Sequence, residues 1–368
     1  MKKKKIGILT AGGDAPGLNA VIYSLVRACH KEYDLIGYKF GYRGLYLNDF
    51  MPLTLESTSG ILHKGGSILR SSNSDNLFIY PIMENGEKVK KDVSDVAVAN
   101  MKKEGVDVLV VLGGDGSLTS ARDFSRKGIN VVGVPKTIDN DLPSTDATFG
   151  FDSAVNVVTE SLGRIHTTAE SHDRVIVVEV MGRSAGWIAL HSGIAGSADV
   201  ILIPEIPYTI DGIVAKINER NAKGKRFTIV VVTEGAVEKD GGALTVKNEE
   251  DRPDPTRFGG VGQSLEERLK NLVENDVRHS VLGYIQRGGE TSAADRLLSV
   301  RYGVHAAELI KKGDFGKMVC VENGEMSSVP LAEVVGEAAI AIGGAKIVDP
   351  KGELVKAAKA LGISFADE

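Results

Sequence analysis

The residues from Pro135 to Asp141, Pro-Lys-Thr-Ile-Asp-Asn-Asp, place a lysine, a hydroxyl and two carboxylates in one turn directly after the apolar stretch Val131 to Val134. Such a turn can hold a substrate hydroxyl, a phosphate and a metal ion together. Phosphoryl transfer asks for this, because there the protein mainly positions two oxygens in line and neutralises developing charge. In that chemistry Asp139 takes the proton of the attacking hydroxyl, Thr137 and Lys136 donate to phosphate oxygens, and Asp141 steers a metal's shell or the sugar. The competing reading is a capped turn, in which Asp139 and Asp141 cover backbone N–H groups of the next segment.

Two further turns favour the chemical reading. Val108 to Leu112 is an apolar strand that runs into Gly113-Gly114-Asp115-Gly116-Ser117. Glycines let backbone approach an anion, the following helix supplies N–H groups and a positive dipole end, and Asp115 is placed to hold magnesium directly or through water. Lys5 to Thr10 is another such strand; it enters Gly12-Gly13-Asp14-Ala15-Pro16-Gly17 and then a helix with Val21, Ile22, Leu25 and Val26 on one face. One glycine turn after a strand is common in doubly wound sheets. Here two of them and the Pro135 to Asp141 turn all fall at strand C-terminal ends, the side on which open α/β sheets bind ligands. A nicotinamide-dinucleotide site is excluded, since neither turn completes G-x-G-x-x-G with an acidic residue at the expected distance.

The elements that must carry these turns read as alternating strands and helices. Asp34 to Phe40 is a strand that leads into Gly41-Tyr42-Arg43-Gly44-Leu45-Tyr46, and Asp75 to Lys91 is a loop or small hairpin before a helix at Asp95 to Glu104. From Asp152 a core helix carries Val155, Val158, Leu162 and Ile165, with His166 and His172 expected to cap its end. Arg174 opens the strand Val175 to Val180, which ends in Met181-Gly182-Arg183, a guanidinium at a helix start suited to phosphate. Trp187 and Leu190 read as core. Strands at Val200 to Ile203 and Phe227 to Val232 flank a helix at Ile210 to Arg220, and Thr233-Glu234 ends the second of them. Residues 238–262 form an exposed insertion before a helix at Gln263 to Glu274. Period-two spacing puts Arg278 and Tyr284 on one strand face, just before Arg287. A long helix at Ser292 to Lys312, a short strand at Lys317 to Val321 and a helical tail broken at Gly343-Gly344 complete the chain.

A chain of 368 residues with 42% hydrophobic content has room for two α/β lobes and suits a soluble globular protein. The net charge of -5 argues against nucleic acid as the main partner. No stretch approaches the roughly 18 apolar residues that cross a bilayer, and the basic start Lys2 to Lys5 precedes a strand, not a signal peptide. Cys29 and Cys320 have no metal-like spacing and read as buried thiols of a cytoplasmic protein.

The motifs GGDAPGLNA, GGDGS, PKTIDND, VVEVMGRSAGW, VVVTEGA and VLGYIQRGG, in that order over almost the whole chain, resemble those of the phosphofructokinase family. The resemblance implies an α/β fold of two doubly wound lobes with largely parallel sheets and the active site in the cleft between them. Residues 1–150 with about 287–335 would bind the phosphoryl donor, and residues 151–286 with about 336–368 the sugar phosphate. The reaction implied is magnesium-dependent transfer of a phosphoryl group from ATP to the 1-hydroxyl of fructose 6-phosphate, in a homotetramer or homodimer whose site is shared between subunits. Asp139 would be the base, Asp115 the magnesium residue, and Arg183 with Lys136 the cations on the transferring group, beside Thr137. Gly12, Gly13, Arg70, Gly114, Gly116 and Ser117 would lie along the donor. The sugar phosphate would meet Thr137, Asp139, Asp141, Met181, Gly182, Arg183 and Glu234, with Arg174 (often from the neighbouring subunit), Arg278 and Arg287 on its 6-phosphate. Tyr284 replaces a histidine of many bacterial members and still offers a hydroxyl.

Three departures stand out. The family has glycine where Arg70 stands and, where Asn73 stands, an arginine that bridges donor and acceptor phosphates; Arg70 could reach the same place. Pyrophosphate-using relatives carry aspartate at Gly116 and lysine at Lys136, so Gly116 favours ATP while Lys136 matches pyrophosphate. Effector-pocket arginines are matched by Arg27 but not by Tyr23, and Lys223, Lys225 and Arg226 form either part of a basic pocket or a solvated turn. The alternatives are therefore a pyrophosphate-dependent enzyme on the same residues and a sugar-phosphate-binding regulatory subunit.

Overall fold

The computed structural model describes residues 3–84, 86–243, 245–248, 256–337 and 344–368. Its larger sheet has seven strands, in the spatial order Glu325–Pro330, Lys317–Glu322, Val131–Pro135, Val108–Gly113, Lys4–Thr10, Tyr33–Tyr38 and Phe50–Pro52. The five inner strands are parallel and both edge strands antiparallel. The buried middles of the inner strands are apolar, as sheets covered on both faces require. Ile6, Ile8, Val108, Val110 and Leu112 pack against helices Leu18–Cys29 and Ala293–Lys312. Leu9, Leu109 and Val111 face the other way, onto Ala97, Met101, Leu118 and Phe124 of helices Ser94–Glu104 and Asp115–Arg126.

The second sheet is wholly parallel, in the order Val277–Val281, Val175–Val180, Thr228–Thr233 and Val200–Leu202. Helices Phe151–Ser171 and Trp187–Ala195 cover one face through Val158, Leu162, Ile188 and Leu190. Ile213, Ile217, Leu265 and Leu269 cover the other. The seam between the sheets is made by two helix starts that cap each other. Ser153 of the first helix donates its N–H (2.7 Å) and Oγ–H (2.6 Å) to buried Asp295, while Ser292 Oγ donates to Asp152 (2.5 Å). The bond from Ser153 N–H satisfies a helix N-terminal group that would otherwise be orphaned, and the two hydroxyl bonds lock the helix starts together.

Several sequence expectations need correction. The stretch after Lys317 is not helical at once: Glu325–Pro330 turns back as a strand around Asn323 and Gly324, whose φ values of 52° and 81° suit a tight hairpin. The strand that carries Arg278 stops at Val281, because Gly283 enters a positive φ of 49° and Gly283–Arg287 winds into a 3-10 turn. Tyr284 therefore does not share a strand face with Arg278. The helix expected at Gln263 to Glu274 is Val261–Leu269. His166 lies inside helix Phe151–Ser171, where its Nε2 meets Gly196 O at 2.8 Å, and His172 is the cap residue. Residues 80–91 form a hairpin, and the expected break at Gly343 and part of the 238–262 insertion lie outside the described residues.

Candidate active site

The C-terminal strand ends of both sheets open onto one cleft of about 710 Å³. On its first wall, the turn after Lys4–Thr10 is clamped by the loop from Gly65 to Asn73. Gly12, at a φ of 79°, donates its N–H to Ser72 O (2.9 Å), Ser71 Oγ donates to Gly12 O (2.5 Å), and Thr10 Oγ1 donates to Arg70 O (2.5 Å). The second glycine turn is equally constrained, since a Cβ on Gly113 would stand 2.3 Å from Ser117 Cβ. A Cβ on Gly116 would meet nothing within 4 Å among the described residues. Asp115 is the first residue of its helix and projects into the cleft. Desolvation by the cleft walls raises its carboxyl, while Gly336 N–H, Arg122 and Arg183 pull it back.

The geometry of the turn from Pro135 to Asp141 bears on both of its readings. Its backbone is held by Asn140, at a φ of 52°, whose Oδ1 accepts from Thr148 N–H (3.1 Å), and by Thr148 Oγ1 donating to Thr137 O (2.8 Å). Among the described residues, the Asp139 carboxylate bonds within its own turn and not onto the next segment. Thr137 Oγ1 accepts from Asp139 N–H (3.1 Å) and donates to Asp139 Oδ2 (3.3 Å), whereas Oδ1 is buried and has no hydrogen-bond partner among the described residues. A buried carboxylate oxygen without a donor costs free energy unless something fills the site. Asp141 is pushed up to about 6 by burial and by Asp139, with Arg183 opposing. Lys136 is buried, and its Nζ donates to Gly13 O at 2.5 Å, which links this turn to the first one.

The second sheet supplies the opposite wall. Met181 N–H donates to Oε1 of buried Gln286 (3.2 Å). Gly182 has a φ of 144°, and a Cβ there would lie 2.7 Å from Ala185 O. Arg183 N–H donates to Glu234 Oε1 (3.2 Å), and a Cβ on Gly235 would sit 1.9 Å from Arg183 O, so only glycine lets these two turns meet. Arg183 acts electrostatically on both Asp115 and Asp141 and lowers each carboxyl. Arg287 lines the cleft and donates to Asp14 O (3.0 Å); Tyr284 also lines it and is 73% exposed.

Three sequence candidates lie elsewhere. The Arg70 guanidinium lies 5.0 Å from the Phe40 ring centre and is not part of the cleft wall, so it does not reach the place of Asn73, which does line the cleft. Arg174 and Arg278 sit at the N-terminal ends of their strands, away from this chain's cleft, and both pair with Asp276 (3.0 and 3.2 Å). Conversely, Asp14, Gly344 and Ala345 line the cleft, and buried Gln286 backs it, without having been singled out. Tyr42 stacks on Phe124 and donates to Ser117 O (2.6 Å), which fixes the second glycine turn. Of the groups considered for an effector pocket, Arg27 lies over Tyr23 (4.4 Å), Arg226 pairs with Asp173 (3.4 Å) and Lys223 pairs with Glu219.

Burial shifts two charged groups of the site toward neutral pH. Glu234 is pushed up to about 7, first by burial and then by Asp139. Lys136 is brought down to about 8, first by burial and then by Arg287. Below about 7 Glu234 takes up a proton and ceases to be an anionic acceptor; above about 8 Lys136 loses the proton that gives it charge toward phosphate. The expected kcat/KM profile is a bell with an acid limb near 7 and an alkaline limb near 8, because kcat/KM reports the free enzyme's groups. Glu234→Gln should remove the acid limb; an unchanged limb in that variant assigns it to another group.

Comparison with known proteins agrees with this geometry. The phosphofructokinase family profile matches residues 5–310. ATP-dependent 6-phosphofructokinase 2 of Clostridium perfringens is 61% identical over 368 residues, 99% of each chain. Pyrophosphate–fructose 6-phosphate 1-phosphotransferase of Streptomyces coelicolor is 44% identical, with 94% of this chain and 96% of that one covered. Among solved structures, phosphofructokinase from Saccharomyces cerevisiae superposes with a TM-score of 0.77 at 30% identity over 90% of this chain, which spans 45% of the yeast chain. With two glycine turns, a carboxylate turn and an arginine turn on one cleft, and with this similarity over nearly its full length, the chain belongs to the phosphofructokinase family.

Proposed function

We propose that this protein is an ATP-dependent 6-phosphofructokinase, which transfers the γ-phosphoryl group of ATP to the 1-hydroxyl of fructose 6-phosphate and forms fructose 1,6-bisphosphate. The observation that carries this is the buried, unpartnered Oδ1 of Asp139, set between two glycine turns and the Arg183 turn. A sugar hydroxyl there would donate to Oδ1 and lose its proton to it as the new O–P bond forms. The same transfer breaks the bond between the γ-phosphorus and the bridging oxygen, and the leaving diphosphate keeps the electron pair. Thr137 holds Asp139 in orientation, and Lys136 and Arg183 offset charge on the non-bridging oxygens. Open space at Gly116 and the named activity of the Clostridium perfringens relative support ATP as donor.

The donor set suits magnesium, which usually takes one or two carboxylates together with substrate phosphates and water. Asp115, open to the cleft at a helix start, would hold it; the ion would shield charge on the phosphates. Residues 1–150 with about 287–335 are proposed to form the donor lobe, and residues 151–286 with about 336–368 the sugar-phosphate lobe. Arg174 and Arg278, displayed outside this chain's own cleft, support a homo-oligomer in which they serve a neighbouring subunit. Among the described residues no helix is long and apolar enough to cross a membrane, and a cytoplasmic location is proposed. The second reading is pyrophosphate as donor. It is motivated by Lys136 on the Gly13 turn and by the Streptomyces coelicolor relative. Formation of fructose 1,6-bisphosphate from fructose 6-phosphate, magnesium and each donor, followed in a coupled assay, tests both.

A further inference from the structure

Asp75 lines the cleft, yet its Oδ2 is buried and has no hydrogen-bond partner among the described residues. A buried carboxylate oxygen without a donor costs free energy until a donor reaches it. The residues that follow hold Asp75 in place. Asn76 Oδ1 accepts from Phe78 N–H (3.0 Å), Leu77 is fully buried, and the Phe78 ring meets Phe124 of helix Asp115–Arg126 edge-on at 5.1 Å. Tyr42, also in the cleft wall, stacks on the same Phe124 ring at 5.8 Å. That helix starts beside the catalytic turn, since a Cβ on Gly114 would lie 3.4 Å from Lys136 O and 4.0 Å from Thr137 Cβ. At about 1.5 Å of rise per residue, Ser120, which also lines the cleft, is about 9 Å further out, and Phe124 lies a turn beyond it. Asp75 therefore stands on the outer part of this wall, past the glycine turns that suit phosphate and past the open space at Gly116. A carboxylate accepts hydrogen bonds only, so it disfavours phosphate and asks for a donor group. Beyond its phosphates a nucleotide offers two kinds: the ribose hydroxyls and the amino group of the base. The vicinal hydroxyls can give one hydrogen bond to each carboxylate oxygen. Beside adenine's amino group stands a ring nitrogen that would face the second oxygen as another acceptor.

We infer that Asp75 accepts hydrogen bonds from the ribose hydroxyls of the phosphoryl donor and so selects a ribonucleotide. The inference rests on the ATP-dependent reading of this cleft and adds to it a residue that recognises the nucleoside. Acidic side chains hold ribose hydroxyls in other doubly wound folds for the same reason, the match of a charged acceptor to a hydroxyl pair. Two features of the first wall then divide donor choice: Gly116 leaves a nucleotide room, and Asp75 binds the part of it that pyrophosphate lacks.

The test reads ribose recognition from binding. Magnesium with ADP, 2′-deoxy-ADP or 3′-deoxy-ADP, and fructose 6-phosphate alone, are titrated calorimetrically into the wild-type protein, Asp75→Ala and Asp75→Asn. Wild type should bind ADP about 10-fold or more tighter than at least one deoxy analogue, the scale of a hydrogen bond to a charged acceptor. In Asp75→Ala, ADP should weaken about 10-fold and the gap between ADP and that analogue should close to within about 2-fold, with fructose 6-phosphate affinity changed less than about 3-fold. Asp75→Asn keeps the size and one neutral acceptor, so its gap should fall between the two; it carries the test if the alanine variant does not fold. No gap in wild type, or no binding of ADP to it, would overturn the inference. So would a gap that persists undiminished in the variants, which would put the contact on the base or elsewhere, and so would tighter ADP binding by Asp75→Ala. Absence of turnover with ATP would count against the kinase reading alone, because ribose discrimination is read without turnover.

Discussion

Asp139→Asn is expected to lower kcat by about 10³-fold while fructose 6-phosphate still binds. The substitution keeps the size and the contact with Thr137 Oγ1 but removes the group that can take a proton, and general-base catalysis by one positioned side chain contributes about 10²- to 10⁴-fold. A loss of 10³-fold corresponds to about 4 kcal/mol of transition-state stabilisation. Folding should survive, because the turn's backbone is held by Asn140 and Thr148 and not by Asp139. Steady-state kinetics with equilibrium binding of the sugar phosphate checks both halves. Turnover within tenfold of wild type would remove Asp139 as the base.

Gly116→Asp is expected to lower kcat/KM for ATP by about 10²-fold and to spare activity with pyrophosphate. The added Cβ meets nothing within 4 Å, and an acidic residue in the first turn of helix Asp115–Arg126 is favourable to that helix, so the fold should be intact. The new carboxylate would enter the space a nucleotide needs beyond its terminal phosphates. Two like charges about 4 Å apart at an effective dielectric near 20 repel by about 4 kcal/mol, and the open position of residue 116 reduces that to the smaller effect expected here. Initial rates of wild type and variant with each donor provide the comparison. An unchanged kcat/KM for ATP would mean that the space at Gly116 does not select the donor.

The site was legible where chemistry is written in contiguous residues. Each glycine turn and the Pro135 to Asp141 turn sits at the end of a strand buried on both faces, so an apolar run followed by turn residues and an aspartate located it. The edges were harder to read. Glu325–Pro330 is polar and half-buried, so it lacks the apolar run that marked the inner strands; the Asn323-Gly324 pair was the hairpin signal that would have found it. Period-two reasoning failed at Tyr284 because Gly283 could turn the chain. The position of Arg70 was set by Phe40, a residue 30 positions away, and no local pattern records a stacking partner at that distance. Gly344 and Ala345 line the cleft beside Lys346, whose N–H donates to Asp141 O (2.7 Å) and whose carbonyl accepts from Trp187 Nε1 (2.8 Å), long-range contacts that no local pattern records.

The most direct test of the central claim is the initial rate of fructose 1,6-bisphosphate formation by the wild-type protein with magnesium, with ATP and pyrophosphate compared at matched concentrations. The account predicts a clear preference for ATP. A preference for pyrophosphate would contradict the donor assignment and make Lys136 the decisive residue, and no product with either donor would contradict phosphoryl transfer in this cleft.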